Sequence, residues 1–170
     1  MEAVIESPNE TSGAESPSRS LGGKYLTFKL DSEEYGVEIL KIREIIGIMD
    51  ITQGPQASEF LQGVVNLRGK VIPVVDLRAK FGLSRAEYDD QTCIIVVDVG
   101  ALMGIIVDTV REVYDVADED VEPPPQLGSS VDTTFILGMA RSTERVTILL
   151  DIEEVLNADE FVVPLDGLDT

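Results

Sequence analysis

The sequence predicts a mainly β fold of two small five-stranded β-barrel lobes with short helices, and three observations predict it. First, 44% of its 170 residues are hydrophobic but only 5% are aromatic and Trp is absent. The core is therefore built from Val, Ile and Leu, and β-branched residues suit a pleated surface. Second, the apolar runs are short and are interrupted by Gly, Pro, Asn and Asp, which supply turns. Third, the chain repeats itself. Gly36-Val37-Glu38-Ile39-Leu40-Lys41-Ile42-Arg43-Glu44-Ile45 shares the pattern G, apolar, x, apolar, x, x, apolar, R, E, apolar with Gly104 to Val113, 68 residues on. Gly63 precedes Val71 by eight residues, as Gly138 precedes Val146, at an offset of 75. The strands VIPVVDL and VTILLDI that follow share apolar positions and an aspartate, Asp76 and Asp151. Two matches in the same order imply two similar β lobes, and closed barrels leave no exposed sheet edge.

Taken in order, residues 1–23 are rich in Ser, Glu, Pro and Gly and compose a disordered tail. Tyr25 to Leu30 is expected as a strand, Asp31 to Glu34 as a turn and Tyr35 to Leu40 as the hairpin partner. Lys41 to Ile45 fits either a continuing strand or a short helical turn. Thr52 to Ser58, with its Gly and Pro, is loop. Val64–Leu67 and Val71–Val75 form a hairpin over Arg68-Gly69-Lys70, where Gly69 supplies the positive φ of a tight turn. Pro73 has no N–H and so places its strand at an edge or a bulge. A short helix follows over Asp76 to Gly82. Gln91 to Val99 and Leu102 to Val113 are long apolar strands joined at Gly100. Ala117 to Pro125 is an acidic, proline-rich loop. Phe135–Met139 and Val146–Leu150 make a last hairpin, Ile152–Leu156 a helical turn, and residues 158–170 an acidic tail that frays. The two lobes fall at about 24–90 and 91–157, with terminal strands open to exchange.

Net charge is −19, which argues against a nucleic-acid partner because phosphate binding needs clustered Lys and Arg. The charge is uneven: residues 24–90 carry 11 acidic and 9 basic side chains, residues 91–157 carry 13 and 3. Two electrostatically different faces can orient different partners. No run is long enough to insert in a membrane and no targeting segment opens the chain. The single cysteine, Cys93, sits in an apolar run as a small buried hydrophobe. A cytoplasmic protein fits these features.

Chemistry is sparse. With no histidine there is no His acid–base pair, triad, metal ligand or phospho-acceptor. Gly63 to Val71 misses the phosphate-loop spacing by one residue, lacks the Ser or Thr after Lys70, and lies in a hairpin. Asp118, Glu119, Asp120 and Glu122 lack the alternating ligands of a calcium loop and read as a solvated face. No cofactor is expected, and a non-enzyme is the expectation. What remains is surface: a seam between lobes lined by Val and Ile, open to a partner helix or strand. On spacing alone Arg68 is a solvated turn charge, yet its fork suits a carboxylate, for which Glu44 is an intramolecular candidate.

The stretches EYGVEILKIREI and GVVNLRGKVIPVVDLRAKFG strongly resemble the CheW-type coupling proteins of bacterial chemotaxis, over about Lys24 to Asn157. That resemblance implies two SH3-like β-barrels and a non-enzymatic adaptor. Its partners would be the regulatory domain of the histidine kinase CheA and methyl-accepting chemoreceptors, whose helical tips would enter the inter-lobe groove. It also implies recruitment to membrane-associated receptor arrays. The positions it implicates in receptor or kinase contact are Ile39, Ile42, Glu44, Gly63, Asn66, Arg68 and, in the second repeat, Val113. A further kinase-related surface would lie near Asp120 to Leu127, where this chain departs from the family by its acidic prolines. Two other readings compete. One is a regulatory or receptor-coupling module of another two-component pathway, such as a domain excised from the kinase, for whose ATP-binding and phospho-histidine domains 170 residues leave no room. The other is a carboxylate-based enzyme or cation-binding β protein.

Overall fold

The computed structural model describes residues 21–53, 61–84, 86–124 and 133–156. Its strands are β1 (Gly23–Leu30), β2 (Glu33–Glu38), β3 (Ile42–Gly47), β4 (Leu61–Leu67), β5 (Lys70–Asp76) and β6 (Cys93–Asp98). They continue with β7 (Leu102–Val107), β8 (Thr109–Val116), β9 (Val121–Glu122), β10 (Ile136–Arg141) and β11 (Val146–Leu150). Two single-turn helices, α1 (Leu77–Lys80) and α2 (Ile152–Val155), follow β5 and β11. The fold is mainly β, in two sheets ordered β9-β10-β11-β2-β1-β8 and β3-β6-β7-β5-β4.

The repeat explains both sheets. The β1–β2 hairpin matches β6–β7, and the β4–β5 hairpin matches β10–β11. Val74 pairs with Gly104 in a parallel ladder, as Leu149 pairs with Gly36 in the other sheet. Asp76 and Asp151 each cap the short helix that follows, accepting from the backbone N–H of Arg78 at 3.0 Å and of Glu154 at 3.4 Å. Each sheet, however, takes its first hairpin from one repeat and its other main strands from the other. Strands β3 to β7 make the second sheet, while β1 and β2 join β8 to β11. The sheets therefore do not follow a division near residue 90. Alternation in sequence fixes which face of a strand is buried, not which strand lies beside it.

The handover from second sheet to first rests on one residue. The apolar run Leu102 to Val113 is not one strand: it breaks at Asp108, and β8 leaves to pair with β1. Asp108 accepts the N–H of Asp31 at 2.7 Å and the Arg78 guanidinium at 2.8 and 2.7 Å. It thus ties the β1–β2 turn to α1. That turn is tighter than Asp31 to Glu34, because Asp31 adopts φ 58° and β2 begins at Glu33. Strand β1 begins at Gly23, inside the boundary expected for the tail, and residues 1–20 lie outside the described set, as do 54–60, 125–132 and 157–170. Lys41 to Ile45 resolves into a 3-10 turn at Ile39–Lys41 followed by β3. Strand β5 is not an edge strand, since it lies between β4 and β7; Pro73 is tolerated because the ladder with β7 starts at Val74.

The largest core cluster draws on both sheets, with Phe28, Tyr35 and Val37 from the first packed with Ile95, Val97 and Ile105 from the second and Leu77 from α1. Each sheet also buries its opposite face: Val65, Ile72, Ile94 and Val96 in the second, Tyr25, Ala140 and Leu149 in the first. Burial on both faces accounts for strands that read as continuous apolar runs. Cys93 is half-buried at the margin of the shared core.

Candidate functional site

The β4–β5 turn is built from Arg68 at φ 53° and Gly69 at φ 87°, a two-residue turn with both central residues left-handed. Arg68 carries that strain as well as the charge. Asn66 stabilises the turn, its Oδ1 accepting the Gly69 N–H at 3.0 Å. The Arg68 fork reaches β3 and grips Glu44: Nη1 donates to Oε2 at 3.1 Å and Nη2 to Oε1. Strands β3 and β4 are the two edges of the second sheet, so the pair clasps the sheet across its open side. The Arg68 hydrogen bond holds the Glu44 carboxyl below its usual range, and the same bond holds the Arg68 guanidinium above its own.

The residues around this clasp divide by role. Ile39 and Ile42 are half-buried against the shared core, and Ile46 packs on the second sheet's own core. Ile45, between them, is exposed, as is Val71 just past the turn. Leu40 is 93% exposed at the rim of a shallow depression of about 290 Å³ whose walls include Lys24, Tyr25, Glu38 and Ile39. The seam itself is filled by the shared core, so the open apolar surface near Ile39 is this depression rather than a deep groove. Gly63 is buried: a Cβ there would lie 2.4 Å from the carbonyl oxygen of Thr52, which exchanges 2.8 Å backbone hydrogen bonds with Val64. Its role is to let that segment close on β4. Gly138 stands in the same relation to Val121 and Glu122 of β9.

The structure thus brings Glu44, Asn66 and Arg68 together, with Ile39 and Ile42 on the adjoining stretch. Val113 lies on β8 of the other sheet, paired with Leu26 and exposed. Leu40, Val71 and Val146 carry no signal in the sequence that marks them as exposed, and of Ile39, Ile42, Ile45 and Ile46, at least half of which are expected in the core, Ile45 is the exposed one. The repeat relates these positions, since Ile45 aligns with Val113 and Val71 with Val146, but exposure is not written in a β-branched residue. A second arginine was also missed: Arg145, before β11, bonds Glu112 of β8 and Glu34 of β2 and lies over the Tyr114 ring at 4.2 Å.

The acidic run has local work. Asp118 accepts the Gly22 N–H at 2.7 Å, and Glu122 lies 3.7 Å from Arg141. Among the described residues no group of three or more His, Cys, Asp or Glu is placed to hold a metal ion. Pro125 to Leu127, at the end of the second expected kinase-related surface, lies outside the described residues.

Exposed β-branched residues beside a bidentate ion pair on a rigid two-sheet frame define an interaction module. The chain belongs to the CheW-like domain family, whose model matches residues 24–160. It is 37% identical over 145 residues to the chemotaxis protein CheW of Klebsiella aerogenes, covering 85% of this chain and 87% of that one. It is 33% identical over 140 residues to the chemotaxis protein CheW of Rhizobium meliloti, covering 82% and 90%. Among solved structures it matches the crystal structure of the scaffolding protein TtCheW from Thermoanaerobacter tengcongensis, with TM-score 0.73, 34% identity and coverage of 82% and 90%.

Proposed function

We propose that this chain is a chemotaxis coupling adaptor that joins the cytoplasmic tips of methyl-accepting chemoreceptors to the regulatory domain of the histidine kinase CheA, without turnover of its own. The observation that carries the reading is the Arg68–Glu44 clasp. It holds an exposed arginine at a hairpin tip, with Ile45 and Val71 open on the strands it joins. Arginine with apolar neighbours on a rigid frame is the composition of an interface centre. The names of the relatives, chemotaxis proteins and a scaffolding protein, agree with it. Ile39, Ile42, Glu44, Asn66 and Arg68 form one contact region and Val113 belongs to a second; Gly63 contributes through the backbone it admits. The working unit is residues 24–157. No described helix is long and apolar enough to cross a membrane. In this reading its place in receptor arrays comes through its partners.

The test is titration of the purified protein against a receptor-tip fragment and against the kinase regulatory domain. Binding to both, with Arg68→Ala weakening at least one of them tenfold or more, supports the adaptor. Binding to neither, with folded partners at high concentration, overturns it.

A further inference from the structure

We infer that Arg145 is the first sheet's counterpart of Arg68, a positioning residue that locks the edge strand β8 and thereby displays Val113 and Val146 as a second patch. The inference rests on the reading of Val113 as a partner-contacting residue and adds the device that sets its place.

The two halves of the repeat carry the argument. Glu112 occupies the repeat position of Glu44, and each glutamate is held by an arginine from the turn of the corresponding hairpin: Arg68 for β4–β5, Arg145 for β10–β11. Each glutamate is followed by an exposed β-branched residue, Ile45 or Val113, and each hairpin exposes a valine after its turn, Val71 or Val146. In both sheets the pair reaches from the hairpin to the edge strand at the far side of the sheet order. Arg145 is not at the repeat position of Arg68 but two residues later, so the spacing conceals it.

The two arginines differ in what they can still do. The Arg68 side chain is 69% exposed and keeps donors available to a partner; Arg145 is 28% exposed. Its guanidinium bonds both Glu112 and Glu34, and it lies over the Tyr114 ring, while Thr147 Oγ1 donates to the same Glu34 at 2.8 Å. An arginine spent on two carboxylates and a ring from two strands, β8 and β2, fixes geometry rather than meeting a ligand.

The experiment uses the full chain with Arg145→Ala, Arg145→Lys and Glu112→Gln. Val113→Asp marks the second patch and Arg68→Ala the first. Two quantities are read: amide exchange along residues 109–116, and affinity for the receptor-tip fragment and the kinase regulatory domain. Arg145→Ala is expected to speed exchange in β8 at least tenfold and to weaken the partner that Val113→Asp weakens by a similar factor. The Arg68-dependent affinity is expected to stay within about twofold, with Arg145→Lys intermediate. Should Arg145→Ala fail to fold, Glu112→Gln carries the same expectation at smaller size. Unchanged exchange in β8, or faster exchange with the Val113-dependent affinity intact, overturns the inference. If the unaltered protein binds neither partner, the adaptor reading falls, and the exchange comparison alone decides whether Arg145 holds β8.

Discussion

Arg68 joins two demands that usually fall on different residues. Its left-handed φ suits Gly or Asn better, yet the turn keeps an arginine there, because only a long forked cation spans from the hairpin to Glu44. Since the pair is exposed and screened by solvent, Arg68→Ala is expected to move the melting temperature by less than about 3 °C while weakening partner binding, as calorimetry and titration will show. A sharp fall in melting temperature would make Arg68 structural. The Glu44 carboxyl is held below its ordinary range, so the pair is intact above that range and is lost as pH falls through the lowered value. Partner affinity that depends on the clasp is therefore expected to hold from neutral pH through the ordinary carboxylate range and to drop only below it, as titration at stepped pH will show. Gly63 behaves oppositely. Gly63→Ala meets the Thr52 carbonyl and a strained φ, and is expected to cost about 2–4 kcal/mol in urea unfolding.

Among elements, the sheet switch at Asp108 concentrates the most polar structure. Burial pushes its carboxyl upward, but the Arg78 hydrogen bond, the Asp31 N–H and the Arg78 charge outweigh that and hold it low. Its stabilisation is full above the ordinary carboxylate range and fades as pH falls through the lowered value. Asp108→Asn keeps the shape, loses the charge-assisted pair, and is expected to destabilise by about 1–3 kcal/mol in urea unfolding at neutral pH. Most elements were legible in the sequence: both late hairpin strands, the two capped helices and the β4–β5 turn follow from apolar runs and turn residues. The break in Leu102 to Val113 was not, because one aspartate inside an apolar run looks like a solvated position. Only the tertiary partners Arg78 and Asp31 show that the chain changes sheets there. Glu44 with Arg68 was legible as chemistry, a fork and a carboxylate in neighbouring motifs. The exposed Ile45 and Val71 were not, since isoleucine and valine serve core and surface with the same letters.

At the scale of the whole molecule, the repeat was legible and its interlocking was not. Each sheet borrows strands across the repeat, and the shared core draws Phe28 and Tyr35 against Ile95 and Leu77. Neither half of the sequence contains a complete sheet. A fragment ending at residue 90 is expected to lack the cooperative thermal transition that circular dichroism will show for the full chain. Mixing it with residues 91–170 is expected to restore that transition; a folded fragment 1–90 would contradict the interlocked arrangement. The same topology sets an order of birth. Strands β3 to β7 are contiguous in the chain and can pair as they leave the ribosome, whereas β2 must wait for β11, Glu34 and Thr147 being 113 residues apart. The first hairpin synthesised is thus among the last to be completed. During that interval its Phe28 and Tyr35 stand open to solvent, which makes nascent chains stalled near residue 110 the form of this protein most in need of a chaperone.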